Sequence, residues 1–193
     1  DELIEAFATL DKVCKYIDIP LQHASDRLLD SMNRFDTREQ VETLLNKLRT
    51  RIPGITIRTT FIVGFPGETE EDFEELKDFV EKQRFENAGV FQYSQEEGTV
   101  AGAMENQIAP EVKENRYHEL MALQAGISEE IHQEREEAEL EVLVEGFDED
   151  NLAYGRSSHE APDIDGTIFI ENAEGLAVGD MVRVRILQGF TYE

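Results

Sequence analysis

A chain of 193 residues with 43 acidic and 18 basic side chains carries a net charge of -25 at pH 7, and its negative field repels phosphate, which argues against naked DNA or RNA as the main partner. Hydrophobic residues at 40% and charged residues at 32% exclude a disordered chain and leave room for one large domain or two modest ones, each with its own core. No apolar run is long enough to cross a bilayer, the acidic opening DELIEAFATLDKV is unlike a signal peptide, and the single cysteine, Cys14, can neither close an internal disulfide nor hold an iron-sulfur cluster, so the expectation is a cytoplasmic protein without a membrane partner.

Leu3, Ile4, Phe7, Leu10 and Val13 fall at helical spacing, and the pattern opens with no cap before it, which predicts a beginning inside a domain. KYIDIP follows as a short strand closed by Pro20, and Cys14 in front of it reads as a small core residue. Ser25 is placed to cap a short helix through Leu28, Leu29 and Met32. Thr37 with Gln40 forms a capping box for a second helix carrying Val41, Leu44, Leu45 and Leu48, which Pro53 and Gly54 end. ITIRTTFIV, residues 55–63, is β-branched and apolar and predicts a strand buried on both faces at its end. After GFPGET, Thr69 and Asp72 make another capping box before a helix with Phe73, Leu76, Phe79 and Val80 on its apolar side, and AGVFQY returns as a strand. Strands alternating with helices predict a parallel α/β barrel or doubly wound sheet. Functional groups then lie in the loops at the carboxyl ends of the strands, residues 22–25, 64–69 and 94–99.

From Pro110 a helix is predicted to about Ala138, with Val112, Leu120, Leu123 and Ile127 as its packing stripe. The period then changes: LEVLVEGF, LAYGRS, GTIFIEN and MVRVRIL read as short strands of a small antiparallel barrel or sandwich. Two domains are thus predicted, 1–137 and 138–193, the second with 13 acidic and 3 basic residues. Such acidity fits plain solubility, salt adaptation or a basic partner. His23, His118, His132 and His159 have no zinc-binding spacing.

YIDIPLQHASDRLLDSMNR, RTTFIVGFPGETEEDFEEL, FQYSQEEGT and APDIDGTIFI, in this order, resemble the radical S-adenosylmethionine (SAM) methylthiotransferase family throughout the chain. QHAS is similar to the branch that modifies a ribosomal protein, whereas the tRNA-modifying branch shows QSGS there. The resemblance implies an α/β fold, the second half of a partial (β/α)6 barrel, followed by a small OB-like antiparallel barrel, the TRAM domain. It implies S-adenosylmethionine bound against a 4Fe-4S cluster on a CxxxCxxC loop that this sequence lacks, and a second 4Fe-4S cluster in a preceding domain. The chain alone is therefore expected to be inactive. The implied substrate is the β-carbon of an aspartate in small-subunit ribosomal protein twelve, a basic partner suited to the acidic TRAM domain. A tRNA-modifying enzyme of the same chemistry and a non-catalytic binding module are the alternatives.

By the same resemblance Gln22 and Ser25 face the ribose or methionine end of S-adenosylmethionine, Ile62 to Gly64 its adenine side, and Phe91 and Tyr93 form an aromatic wall. No catalytic residue or metal ligand is expected in the chain. Each position has a plain alternative: Ser25 as a helix cap, His23 as an ordinary loop residue, Gly64 and Gly67 as turn formers, the aromatics as strand alternation. The turn has neither GxxxxGKS nor GxGxxG and is no phosphate loop by pattern. Arg58, inside an apolar strand, needs an anion, which is either the cofactor's carboxylate or an ion pair with Asp18 or Glu68. Thr60 shares its face by alternation.

Overall fold

The computed structural model describes residues 1–191. Its elements in chain order are α1 (Glu2–Thr9), β1 (Tyr16–Gln22), α2 (Asp26–Ser31), α3 (Arg38–Arg51), β2 (Thr56–Val63), α4 (Glu70–Gln83), β3 (Asn87–Gln92) and α5 (Pro110–Glu134). Four strands follow, β4 (Glu139–Phe147), β5 (Ala153–Arg156), β6 (Ile168–Ile170) and β7 (Met181–Arg185). The first three strands make a parallel sheet in the order β1-β2-β3. The last four make a curled antiparallel half-barrel in the order β6-β5-β4-β7.

Local chemistry starts both long crossover helices. The Thr37 hydroxyl accepts the Gln40 N–H while the Gln40 side chain accepts the Thr37 N–H, and Thr69 with Asp72 repeats the box at α4. Each such cap stabilises its helix by about 1 kcal/mol. Ile57, Phe61 and Val63 of β2 then bury against Leu45, Leu48, Phe73, Leu76 and Phe79. Phe61, Phe79 and Phe85 meet in tilted and edge-to-face contacts, with ring centroids 5.8 to 6.3 Å apart.

Only one side of the sheet is covered. Arg58, Thr60 and Ile62 alternate with the buried residues of β2 and remain partly exposed, so the strand is not buried on both faces as its composition predicted. Cys14 is exposed, not a core residue, because it precedes the strand in the α1–β1 loop.

α5 lies against β3 and α4 on the covered side. Its buried positions are Arg116, Leu120, Gln124, Ile127 and Ser128. Val112, expected in the stripe, is exposed because the contact begins a turn later, at Arg116. Gln124 donates to the Phe85 carbonyl at 2.8 Å and Ser128 to the Glu86 carbonyl at 3.0 Å, which satisfies backbone groups just before β3. The helix stops at Glu134 and not near Ala138, since the backbone of Glu137 and Ala138 bonds with Ile186 instead. The half-barrel has its own small core of Val142, Val144, Ala153 and Ile170.

Candidate functional site

The turn from β2 to α4 is built around one buried carboxylate. Gly64 and Gly67 both take left-handed backbone, with φ of 74° and 81°, a conformation glycine adopts without strain. The Glu68 carboxylate folds back to accept the Gly64 N–H at 2.6 Å and the Phe65 N–H at 3.2 Å. It also accepts from Arg116 Nη1 at 2.9 Å, and Arg116 Nη2 reaches Glu70 at 3.1 Å. Burial pushes the Glu68 carboxyl up, against the pull of Arg116 and the two N–H groups. Neither Glu68 nor Arg116 was singled out as an organiser by sequence. The available signal was an arginine in the apolar stripe of a long helix and an acid closing a glycine turn.

A second buried cluster lies beside it, at the carboxyl end of β1. Gln22 has φ of 72°, where the pairing with β2 slips after Ile19. His23 is 2% exposed, and its Nδ1 accepts the Ser25 N–H at 3.0 Å, which leaves the ring proton on Nε2. Nε2 stands 3.9 Å from a Glu68 oxygen, outside hydrogen-bond reach. Burial lowers the His23 pKa to about 4, so the ring is neutral at pH 7.

Ser25 occupies the backbone N-cap position of α2 but makes no side-chain cap there. Its hydroxyl donates instead to Asp72 at 2.6 Å. Burial works to raise the Asp72 carboxyl, yet donors from Ser25, Thr69 and Arg27 outweigh it and hold the pKa down to about 2.

The open face of the sheet carries the remaining residues. Register pairs Asp18 with Arg58, Thr60 with Gly89, and Ile62 with Phe91. Phe91 is 60% exposed on that face. Tyr93, just past β3, stacks edge-on against Phe65 with centroids 5.3 Å apart. Lys113 of α5 reaches over the strand ends, donating to the Tyr93 carbonyl at 2.9 Å with its ammonium 4.9 Å from the ring centroid. The lysine stem also fills the space beside Gly64, where an added Cβ would lie 2.4 Å from Lys113 Cγ.

Gln22, Ser25, Gly64 and Tyr93 therefore gather at the carboxyl end of the sheet, with Ile62 and Phe91 just below and Thr60 midway. Arg58 borders them from below. Its backbone lies six residues before Gly64, about 20 Å along an extended strand, and its guanidinium donates to Asp18 at 2.9 Å and to Asp165 at 3.2 Å, while its Nη2, Thr60 Oγ1 and the Phe91 ring all come within 4.0 Å of where a Cβ on Gly89 would lie. Of the two ion pairs considered from sequence, the structure contains that with Asp18, while Glu68 is held by Arg116.

Two buried polar atoms at the carboxyl ends, His23 Nε2 and Tyr93 Oη, have no hydrogen-bond partner. Such groups are costly to bury unpaired, and they fit a polar ligand lying across the tips of β1 and β3. Among the described residues no three His, Cys, Asp or Glu side chains converge on a metal position, and the one thiol is exposed. The residues present thus fit a nucleoside-type cofactor but not an iron-sulfur cluster, which needs several thiolates. No helix among the described residues is long and apolar enough to cross a membrane.

The two halves of this architecture each match a known family: residues 1–80 the Radical SAM superfamily and residues 138–193 the TRAM domain. Proteins named ribosomal protein uS12 methylthiotransferase RimO are similar over the full chain. That of Desulforamulus reducens is 51% identical, with all of this chain and 44% of the relative covered. That of Caldanaerobacter subterraneus subsp. tengcongensis is 50% identical at the same coverage, and that of Clostridium botulinum strain Loch Maree 47%, with 43% of the relative covered. Over its full length the chain is thus similar to these methylthiotransferases, with a radical SAM portion followed by a TRAM domain. It spans less than half the length of these relatives.

Proposed function

We propose that the chain is part of an enzyme that adds a methylthio group to the β-carbon of an aspartate in ribosomal protein uS12. Identity of 51% along the whole chain to a protein bearing that name carries this reading. In the whole protein S-adenosylmethionine supplies the hydrogen-abstracting radical chemistry. This chain's part is to bind and orient it. Gln22, Ser25, Thr60, Ile62, Gly64, Phe91 and Tyr93 form one wall of the cleft, with His23 Nε2 as a buried donor. Arg58, engaged by two carboxylates through Nε and Nη1, borders that wall with Nη2 beside Thr60 and Phe91.

Residues 1–137 form the cofactor-binding portion and 138–193 the substrate-recognition domain. The latter's 13 acidic against 3 basic residues suit a lysine- and arginine-rich protein, because complementary charge speeds and orients encounter. Both 4Fe-4S clusters belong to the part of the relatives that this chain does not span, and the enzyme works on ribosomal protein in the cytoplasm.

The test uses the whole protein reconstituted with iron and sulfide. Mass spectrometry should find one methylthio group on uS12 and none on tRNA, and modified tRNA with unmodified uS12 would move the protein to the other branch. The 193-residue chain, treated identically, should show no reductive cleavage of S-adenosylmethionine; cleavage by the chain alone would refute the placement of the clusters.

A further inference from the structure

At the amino-terminal end of the parallel sheet, opposite Gln22 and Gly64, a carboxylate from the half-barrel is sealed between the two units. The Asp165 side chain is 2% exposed. One of its oxygens accepts the Tyr16 hydroxyl at 2.6 Å and the Ala161 N–H at 2.9 Å, and the other accepts Arg58 Nε at 3.2 Å. Two of the three donors belong to the parallel sheet and only one to the half-barrel's own loop. Six residues earlier His159 Nδ1 meets the Thr56 hydroxyl at 2.8 Å, and Tyr16 and Thr56 are paired neighbours opening β1 and β2. The Tyr16 phenol is pushed well up by burial and by Asp165, so it remains a donor.

A carboxylate this buried is retained only where its lone pairs are filled. Here they are filled across the junction, so separating the units would strip Arg58 Nε and the Tyr16 hydroxyl of their partner. The Asp18 contact keeps Arg58 in place on the sheet side, which makes Asp165 the member contributed by the half-barrel.

We propose that Asp165 is a positioning residue, whose carboxylate fixes the acidic C-terminal unit on the amino-terminal ends of β1 and β2, so that a polypeptide held by that unit approaches the cofactor wall along the open face from the Arg58 end. The approach direction rests on the function proposed above; the docking does not.

The test places spin labels on Cys14, the only cysteine, and on Val178→Cys, whose side chain is exposed. The whole chain should give one narrow distance distribution. Asp165→Asn and Tyr16→Phe should each broaden it, whereas Glu171→Gln, an exposed carboxylate of the same unit, should leave it unchanged. Tyr16→Phe removes a single hydroxyl and decides the matter should Asp165→Asn fail to fold. Distributions that stay narrow in the folded variants overturn the proposal. In the whole reconstituted enzyme Asp165→Asn should raise KM for uS12 about tenfold, the effect of one charge-assisted hydrogen bond, with kcat and S-adenosylmethionine binding unchanged. An unchanged KM alongside a broadened distance overturns the approach direction. Absence of any activity on uS12 in the unsubstituted enzyme would instead overturn the proposed function, and the distance result would still decide the docking.

Discussion

Arg116 in the second turn of α5 and Glu68 in the β2–α4 turn form a buried ion pair, Nη1 to Oε1 at 2.9 Å, with side chains 8% and 0% exposed. The pair is asymmetric. Arg116 has a second, outer partner in Glu70 at 3.1 Å, but among the described residues Glu68 meets no other arginine or lysine.

Arg116→Met should therefore cost more than Glu68→Gln. The first leaves a buried carboxylate without its cation, an error worth about 3–5 kcal/mol. The second leaves Arg116 with Glu70 and leaves an amide oxygen to accept from Gly64 and Phe65. Urea unfolding at pH 7 measures both, and the opposite order would show that Glu70, not Glu68, anchors α5 to the turn.

Gly64→Ala carries two separable penalties. Left-handed backbone costs a non-glycine residue about 1–2 kcal/mol, and the new Cβ would press on the Lys113 stem at 2.4 Å. In a Lys113→Ala background the second penalty shrinks to the contact with the remaining Cβ at 3.1 Å, and the first remains. A double-mutant cycle should show a coupling of about 1 kcal/mol; strict additivity would mean that Lys113 moves aside freely.

Stability should depend on His23 between pH 6.5 and 4. In that window the unfolded chain binds a proton that folded His23, with its pKa lowered by burial to about 4, refuses. Stability from this group is therefore complete above pH 6.5 and falls as pH drops, by about 3 kcal/mol across the window. The charged groups around the ring are Glu68, Asp72, Arg116 and Arg27. Glu68, whose carboxyl is raised, works in the opposite sense, losing stability as pH rises above its ordinary value. Asp72, held at about 2, loses its contribution only below its ordinary value of 3.8. The difference between the chain and His23→Gln isolates the histidine, and a difference flat from pH 7 to 4 would contradict its neutral burial.

What was legible in the sequence was what is local. Thr37 with Gln40 and Thr69 with Asp72 announce their helices because a capping box is closed within four residues. The change from helical to alternating period after α5 marks the half-barrel for the same reason. Ser25 shows the limit, since spacing makes it a cap while its hydroxyl turns to Asp72, 47 residues away. Arg58 and Asp165 are 107 residues apart, and nothing in the spacing of either says that a loop of the half-barrel supplies the anion the arginine needs. β2 was partly legible: Arg58 and Thr60, two apart in an apolar run, already mark an uncovered face, but the apolar composition outweighed that alternation.

The division near residue 138 can be tested inside the half-barrel. An added Cβ at Gly155 would lie 2.0 Å from the Leu143 carbonyl oxygen, across the β4–β5 pairing. Backbone cannot yield as a flexible side chain does, so Gly155→Ala should break that pairing, a loss at the severe end for a single substitution, more than about 4 kcal/mol. The core of Val142, Val144, Ala153 and Ile170 would open with it. The parallel sheet has a separate core around Phe61, Phe79 and Phe85, and its amides should keep their protection. Hydrogen exchange should accelerate in β4, β5 and β7 while β2 remains slow, and thermal unfolding should split into two transitions. Loss of protection in both sheets together would mean that the chain folds as one cooperative unit and that no domain boundary lies at 138.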